Sequence, residues 1–366
     1  MVKVPEIKDL KKDILRWVEA VRDKSEPESG RFRYNRHMVR PYATEATAHI
    51  VFILQQIDEL RNYPYREGII KFLLSCQEPG TGLFKDPLVT EKDRWQSPEA
   101  HSWEHIWAHH TGVCKTALDF CGVKPLYPLP EVVHVDFERT DPVVWTRSLD
   151  WRRPYYVAEH WYMAVKAYLR KYKVKGEERK AYPVIERAFK TLEEEVINPE
   201  TGFPDRYLPP DEEGGRLGGI FKIMITYAET GRQFPYPDKL IPSVLALQRP
   251  DGDFTRGGGM CMNWDALYVI YYAAGEEPLK TKWRKEILNA SQKLALRLIN
   301  DYKKEDGGFS FLENLTLERH NSIYVTPQLP EGDALGTALA LECIRLNECW
   351  QKDIPLPLCL TSYKDR

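Results

Sequence analysis

Hydrophobic and polar residues recur along this chain with the period of an α-helix. The clearest case is residues 181–197, where one face carries apolar side chains and the opposite face carries charged ones. That pattern predicts an outer helix with one side in solvent. Two other segments, Cys261–Ala274 and Ala334–Ile344, have almost no charged face. A helix that is apolar all round is expected to be buried.

A short glycine turn that ends in a phenylalanine recurs between such helices. The phenylalanines of these turns are Phe32, Phe84, Phe203, Phe254 and Phe309. Successive turns lie 51 to 55 residues apart, except for one gap of 119 residues, which is about twice a repeat. The repeat unit is therefore an outer amphipathic helix, a glycine turn, a polar loop and an inner buried helix.

The repeat predicts six helical hairpins. A charged helix at 8–22 and an inner helix at Ala43–Leu60 form the first hairpin. The double gap accommodates a poor outer segment at 141–150 and a helix at Tyr155–Tyr172, and Val132–Val135 is the one obvious strand candidate. Because single hairpins cannot bury their apolar faces, we expect all six to close into an all-α barrel with one core and one domain over residues 1–366.

The turns also resemble those of a known group of proteins. Lys71–Gln77 with Gly82–Phe84, and Leu245–Gln248 with Gly252–Phe254, resemble the glutamine–aromatic repeat of terpenoid cyclases and protein prenyltransferase β-subunits. Toroids of this kind also include six-hairpin glycosidases, sugar epimerases and several polysaccharide lyases. The resemblance implies an alpha/alpha toroid of about six hairpins, and it leaves the chemistry open because this fold hosts unrelated activities.

Composition and charge argue against several classes of function. Lysine and arginine number 52 and aspartate and glutamate 54, so the net charge is −2, whereas a general nucleic-acid binder shows a basic excess. No apolar run is long enough to span a membrane, and the first residues lack the apolar core of a secretory signal. The seven cysteines include no C-x-x-C pair, which is typical of reduced thiols. We therefore expect a cytoplasmic protein that binds neither nucleic acid nor membranes.

The loops from outer to inner helices are where the chemistry is expected, because in a toroid they open on one face beside the positive ends of the inner-helix dipoles. Here these loops combine arginine, histidine, tryptophan, tyrosine and carboxylates, which suits a polar ring-shaped ligand such as a sugar. We therefore expect a small-molecule or oligosaccharide substrate. The candidate substrate-binding residues are Arg36, His37, His101, Trp103, Trp151, Arg153, Tyr156, Trp264, His320, Asn321 and Tyr324.

A glycosidase needs two carboxyl groups on either side of the scissile bond. One acts as the acid and the other as the base or nucleophile. Glu159, Asp265 and Asp333 lie near the starts of predicted inner helices, and we draw the pair from these three. Capping of those helices by an acidic side chain is the alternative interpretation.

A polysaccharide lyase would instead use a tyrosine or histidine base and a polar group that neutralises the carboxylate of a uronate. His320–Asn321 with Tyr324 could supply this chemistry, and so could Arg153 with Tyr155 and His160. With His105, the candidate catalytic set is Glu159, His160, Asp265, Tyr155, Asp333 and His105.

Three histidines share one predicted helix face, because His101, His105 and His109 are four residues apart. That spacing could hold a metal, but no closed set of cysteine and histidine ligands accompanies it. We therefore expect no metal and no cofactor, and we interpret His105 as an acid/base candidate and His101 as a substrate contact.

Two other function classes stay open beside a glycoside hydrolase or a lyase. A terpenoid-cyclase-like or prenyl-transferring enzyme would surround one buried acid with apolar and aromatic groups, but the chain has no DxDD motif and no histidine that completes a prenyltransferase-like zinc site with Cys261 and Asp265. A non-catalytic binding toroid would lack a convergent acid/base set, and the Cys-Gly-Glu-Gln thioester sequence of such proteins is absent. We favour a carbohydrate-active enzyme.

Overall fold

The structure is a computed structural model, which describes residues 4–26, 28–97, 100–129, 135–208, 213–256, 259–275 and 277–356. Within these ranges the chain forms twelve α-helices and a single hairpin of two short strands. The all-α prediction is confirmed. The predicted strand at 132–135 falls almost wholly outside the described residues. No described helix combines the length and the hydrophobicity that crossing a membrane requires.

The helices are numbered in chain order. They are α1 (Ile7–Val21), α2 (Thr44–Gln56), α3 (Arg66–Ser75), α4 (Trp103–Phe120), α5 (Pro142–Ser148), α6 (Pro154–Lys173), α7 (Tyr182–Thr191), α8 (Glu213–Thr230), α9 (Pro237–Ala246), α10 (Gly259–Ala273), α11 (Arg284–Arg297) and α12 (Ala334–Lys352). The strands are β1 (Arg319–His320) and β2 (Ile323–Tyr324), which pair antiparallel.

The chain divides into two compact units, of residues 1–130 with 295–360 and of residues 131–294. The first unit contains α1 to α4, α12 and the β-hairpin, and the second contains α5 to α10 and most of α11. The prediction of one domain over residues 1–366 stays a prediction.

In the first unit, α2 is the most deeply buried element, and it packs against α4 and α12. It ends at Gln56, four residues before the predicted end, because Asp58 adopts a left-handed φ of 56°. The N–H groups of Glu59 and Leu60 then both donate to the Leu54 carbonyl and close the helix end. The last inner helix, α12, continues beyond the predicted Ile344 to Lys352, because buried residues continue one apolar face.

In the second unit, α8 packs against both α6 and α10. Glycines make its close approach to α6 possible. A Cβ at Gly218 would lie 2.4 Å from Cδ2 of Tyr155, and a Cβ at Gly219 would lie 2.8 Å from Cβ of Pro154. Any larger residue at these positions would push the start of α6 away from α8.

The glycine turns share a hydrogen-bond pattern that confirms the repeat. In four of them the backbone N–H of the turn phenylalanine donates to a side-chain oxygen of the inner helix that follows. The pairs are Phe32 with Thr47 (3.1 Å), Phe84 with Thr111 (2.9 Å), Phe254 with Asn263 (2.9 Å) and Phe309 with Thr337 (2.9 Å). All these rings are fully buried, so each turn ties an outer helix to its inner helix through a core contact.

Candidate functional site

Three helices of the second unit bring a group of chemically active side chains together. Tyr155 and Glu159 lie one turn apart on α6, which starts with Pro154 at its first position, where a fixed φ favours the helix. Lys222 comes from α8 and Asp265 from the first half of α10. We call these four residues the Glu159–Asp265 cluster.

Lys222 joins α6 to α8 at this cluster. Its Nζ donates to Oε2 of Glu159 at 2.6 Å and to the Tyr155 carbonyl oxygen at 2.8 Å, and it lies 4.0 Å from the centroid of the Tyr155 ring. The Lys222 and Glu159 side chains are only 15% and 19% exposed. This short, partly buried ion pair keeps Glu159 in its carboxylate form.

Asp265 is in the opposite electrostatic situation. It is 4% exposed, and this burial raises the pKa of its carboxyl group well above the usual range, although the Lys222 charge acts in the other direction. Beside it in the chain, the Trp264 ring contacts the rings of Phe221 (4.8 Å between centroids) and Tyr268 (5.1 Å). Burial therefore favours the neutral form of the Asp265 carboxyl group.

Tyr155 is close to both acids. Burial raises the pKa of its phenol well above the usual range, and the nearby Cys261, Asp265 and Glu159 raise it further. The surroundings therefore favour the neutral forms of Tyr155 and Asp265 and the charged forms of Glu159 and Lys222. Three of these residues, Tyr155, Glu159 and Asp265, are candidates from the sequence, whereas Lys222 is not.

Other candidates on the same segment lie elsewhere. His160 is exposed, and Tyr156 is partly exposed, with the Arg153 guanidinium 4.7 Å from its ring centroid. Trp151 is buried, and its Nε1 donates to the Thr146 carbonyl at 2.8 Å. Trp151 is thus a core residue, while Arg153 and Tyr156 form an exposed aromatic platform with a positive charge over it.

A second group of chemically active side chains lies in the first unit and centres on Glu45, in the first turn of α2. One carboxylate oxygen, Oε2, lies 2.9 Å from Nδ1 of His320 and 3.8 Å from Nε2 of His110. The other, Oε1, lies 3.1 Å from Nδ1 of His109. The Tyr34 hydroxyl lies 3.3 Å from Nδ1 of His320. We call these five residues the Glu45 cluster.

The environment of Glu45 favours its charged form. Burial opposes ionisation, but the charges of His320 and His110, together with the contacts to His109 and His320, hold the pKa of Glu45 well below its usual range. His49, one turn along α2, is buried, and burial lowers its pKa to about 3. A neutral imidazole thus lies next to a charged carboxylate–histidine group.

The β-hairpin delivers His320 to this cluster. Asn321 and Ser322 have φ angles of 45° and 66°, as expected for a two-residue type I′ turn. The Ser322 carbonyl accepts from the Trp95 N–H at 2.7 Å, and its Oγ accepts from the His101 N–H at 2.9 Å. The hairpin is thereby fastened to the segment that precedes α4, and Tyr324 at its end is exposed.

The remaining candidates of the first unit are held in other contacts. Arg36 and His37 both bind the buried Glu331, at 3.3 Å and 2.7 Å. The His101 ring stacks on that of His105 at 4.1 Å, and Trp103 donates to Glu91. These side chains therefore already make contacts with other residues of the protein.

Asp333 caps α12. Its Oδ1 accepts from the Gly336 N–H at 2.7 Å, and its Oδ2 accepts from the N–H groups of Phe311 at 2.8 Å and Leu317 at 3.1 Å. These three bonds match the capping alternative given above, so both oxygens serve the backbone.

Comparisons with known proteins agree with the fold. No family model matches the sequence, and no curated protein matches it. Among solved structures, the chain is similar to the GH76A alpha-1,6-mannanase from Salegentibacter sp. HEL1_6, with a TM-score of 0.50, 11% identity, and 94% of this chain and 100% of that chain covered. It is also similar to a glycosyl hydrolase family 88 protein from Bacteroides vulgatus (TM-score 0.48, 14% identity, 93% and 99% covered) and to a type II terpene cyclase from Scytonema (TM-score 0.45, 12% identity, 93% and 99% covered).

The fold class is therefore an all-α, alpha/alpha toroid, as the repeat predicts. At this level of identity the likeness concerns the fold alone, and alpha/alpha toroids carry several unrelated chemistries. The chemistry has to be argued from the two clusters themselves.

Proposed function

We propose that this chain is a carbohydrate-active enzyme that hydrolyses a glycosidic bond at the Glu159–Asp265 cluster. The observation that carries the proposal is the contrast between the two acids. Burial favours the neutral form of Asp265, while the ion pair with Lys222 favours the carboxylate form of Glu159. Two carboxyl groups whose environments favour different protonation states are the usual sign of an acid/base pair.

The roles follow from the protonation states. Asp265 is the general acid, which gives its proton to the glycosidic oxygen as the bond to the leaving sugar breaks. Glu159 is the base or the nucleophile on the other side of the bond. When Asp265 loses its proton, the nearby Lys222 charge stabilises the new carboxylate. Lys222 is therefore a positioning residue for Glu159 and an electrostatic partner of Asp265.

Aromatic side chains support a sugar as the substrate. Tyr156 and Arg153 form an exposed platform, and Trp264 lies directly next to Asp265 in the chain. Aromatic walls with a few polar groups are the usual composition of small-molecule sites. The mannanase with the same fold acts on an α-1,6-linked polysaccharide, which makes such a polymer a sensible first substrate to test.

A terpenoid-cyclase-like activity is the second candidate, and one observation favours it. Burial favours the neutral form of Asp265, and the ring of Trp264, its neighbour in the chain, contacts Phe221 and Tyr268. A proton donor and aromatic groups are what protonation of an alkene would need. The Glu159–Lys222 ion pair favours the sugar instead, because charged groups are costly to desolvate against an apolar isoprenoid.

The test compares three variants on one substrate panel of α-1,6-mannan, a uronate-containing polysaccharide and a linear isoprenoid diphosphate. Glu159→Gln and Asp265→Asn should each lower turnover by about 10²–10⁴-fold on the substrate that is cleaved. Glu229→Gln is the matched control, because Glu229 pairs with Lys166 at 2.8 Å across the same two helices, two turns further along.

Each outcome has a distinct meaning. Reducing ends without an unsaturated product identify hydrolysis, whereas an ultraviolet-absorbing unsaturated sugar would indicate a lyase. Cyclised isoprenoid would favour the second candidate. Near-wild-type turnover in folded Glu159→Gln and Asp265→Asn would refute the proposed site.

A further inference from the structure

The first unit carries a group of ligand atoms that the proposed glycosidase chemistry does not use. Glu45, His109 and His320 each direct one nitrogen or oxygen atom into a region where all three atoms lie within 4.8 Å of one another. The three residues come from α2, α4 and β1, which are far apart in the sequence. We propose that Glu45, His109 and His320 bind a divalent transition-metal ion.

The spacing of the donor atoms fits such an ion. The Glu45 oxygens lie 3.1 Å from Nδ1 of His109 and 2.9 Å from Nδ1 of His320. Ligand atoms around a tetrahedral zinc ion, with bonds of about 2.1 Å, are separated by about 3.4 Å. A small shift of the side chains therefore makes room for an ion between atoms that are already close.

The carboxylate of Glu45 is buried at a place where a cation would stabilise it. Its side chain is only 3% exposed, and its Oε1 and Oε2 face Nδ1 of His109 and Nδ1 of His320. Buried charged groups are normally paired or coordinate a metal. A metal ion bound by all three side chains would meet that requirement.

His110 places another imidazole nitrogen beside the three donor atoms. Its Nδ1 lies 2.9 Å from the Ile106 carbonyl oxygen, which can only accept, so Nδ1 carries the hydrogen. Its Nε2 faces the cluster, 3.8 Å from Oε2 of Glu45.

The donor set indicates the class of ion. Two imidazoles and one carboxylate occur in catalytic zinc sites and in non-haem iron sites, and both types leave coordination positions open. Calcium and magnesium prefer oxygen ligands. The His109 and His320 side chains are 29% and 15% exposed, so solvent reaches the histidine side of the site. This proposal replaces the expectation, drawn from the sequence, that no metal is bound.

Metal binding can be measured without any enzyme assay. We would strip the full-length protein with a chelator, titrate it with Co²⁺ while recording the visible ligand-field bands, and then compete with Zn²⁺. Wild type should bind one ion per chain, and Zn²⁺ should raise its melting temperature. Loss of a residue that only orients a ligand typically costs 10–100-fold in affinity, so loss of a direct ligand in His320→Ala should cost at least about 100-fold.

Controls separate the site from surface binding and from misfolding. His37→Ala removes another histidine of the same unit, one that pairs with Glu331, and should bind Co²⁺ as wild type does. If Glu45→Gln unfolds, His320→Ala still tests the site, because its folding can be checked by circular dichroism. No ligand-field bands in folded wild type, or equal affinity in wild type and His320→Ala, would overturn the proposal. Glu159→Gln should keep full metal affinity, so the failure of either proposal is visible without the other.

Discussion

The ion pair between Lys222 and Glu159 tests how the proposed base is held. Lys222→Met removes the ammonium group but keeps much of the side-chain volume. Two unit charges about 4 Å apart attract each other by about 4 kcal/mol at an effective dielectric constant of 20. Because the side chains are only 15% and 19% exposed, desolvation offsets part of this gain. We expect a net coupling energy of about 1–3 kcal/mol.

Lys222→Met alone should lower the free energy of unfolding by more than the coupling energy between Lys222 and Glu159. Lys222→Met removes an ammonium group from the partly buried Glu159 carboxylate and a hydrogen-bond donor from the Tyr155 carbonyl. We expect the free energy of unfolding to fall by about 2–4 kcal/mol. For a chain of 366 residues this corresponds to a drop of about 3–5 °C in the melting temperature.

A double-mutant cycle of Lys222→Met and Glu159→Gln, followed by urea denaturation, measures the coupling. The parallel cycle of Lys166→Met and Glu229→Gln serves as the control on the same helices, where the pair is 2.8 Å long. Both cycles should show coupling, but only the first should reduce turnover. A coupling below about 0.5 kcal/mol in the first cycle would show that Lys222 does not hold Glu159, and our assignment of the base would lose its support.

Three further predictions concern stability. Burial raises the Asp265 pKa above its usual 3.8, so the stability that this group contributes is complete below about pH 4 and falls by about 1.4 kcal/mol per pH unit as the pH rises towards the folded-state pKa. In Asp265→Asn, the free energy of unfolding, measured by denaturation at pH 5 and pH 7, should fall less steeply with pH. An unchanged dependence on pH would contradict the assignment. Gly218→Ala should lower the free energy of unfolding by about 1–3 kcal/mol by displacing Tyr155. Gly112→Ala, where no atom of the described residues lies within 4 Å of the added Cβ, should not destabilise the protein, and equal melting temperatures for the two variants would refute the contact. Thr337→Val should lower the free energy of unfolding by about 1–3 kcal/mol because it removes the acceptor of the Phe309 N–H. An unchanged melting temperature would show that this hydrogen bond does not stabilise the turn.

Helical periodicity was enough to locate most of the fold. The amphipathic pattern at 181–197 and the apolar stretches at 261–274 and 334–344 correspond to α7, α10 and α12. The pattern was weakest at α8, because glycine is a poor helix former. The reason for its glycines is tertiary, since Gly218 and Gly219 make room for Tyr155 and Pro154. No local pattern could show that.

The two clusters were predictable to different degrees. Tyr155 and Glu159 are four residues apart on one helix, so their shared face follows from the sequence. Lys222 was missed, because its helix was predicted only as part of the repeat, without bounds or candidate residues. Glu45 was missed because it is a lone charge in an otherwise apolar helix, and its partners His109 and His320 come near it only through folding. A charged residue within a helix expected to be buried is the signal that could have found it.

A crystal structure of Asp265→Asn with a bound oligosaccharide tests most directly whether Asp265 and Glu159 form the active site. The oligosaccharide should be a fragment of the substrate that the wild type cleaves. The substitution removes the proposed acid while it keeps the shape of the side chain, so intact substrate should accumulate. We predict a glycosidic oxygen within hydrogen-bonding distance of the side chain at 265, with Glu159 facing the anomeric carbon. A sugar bound away from residues 155, 159 and 265, in crystals of a variant that still turns over, would contradict it.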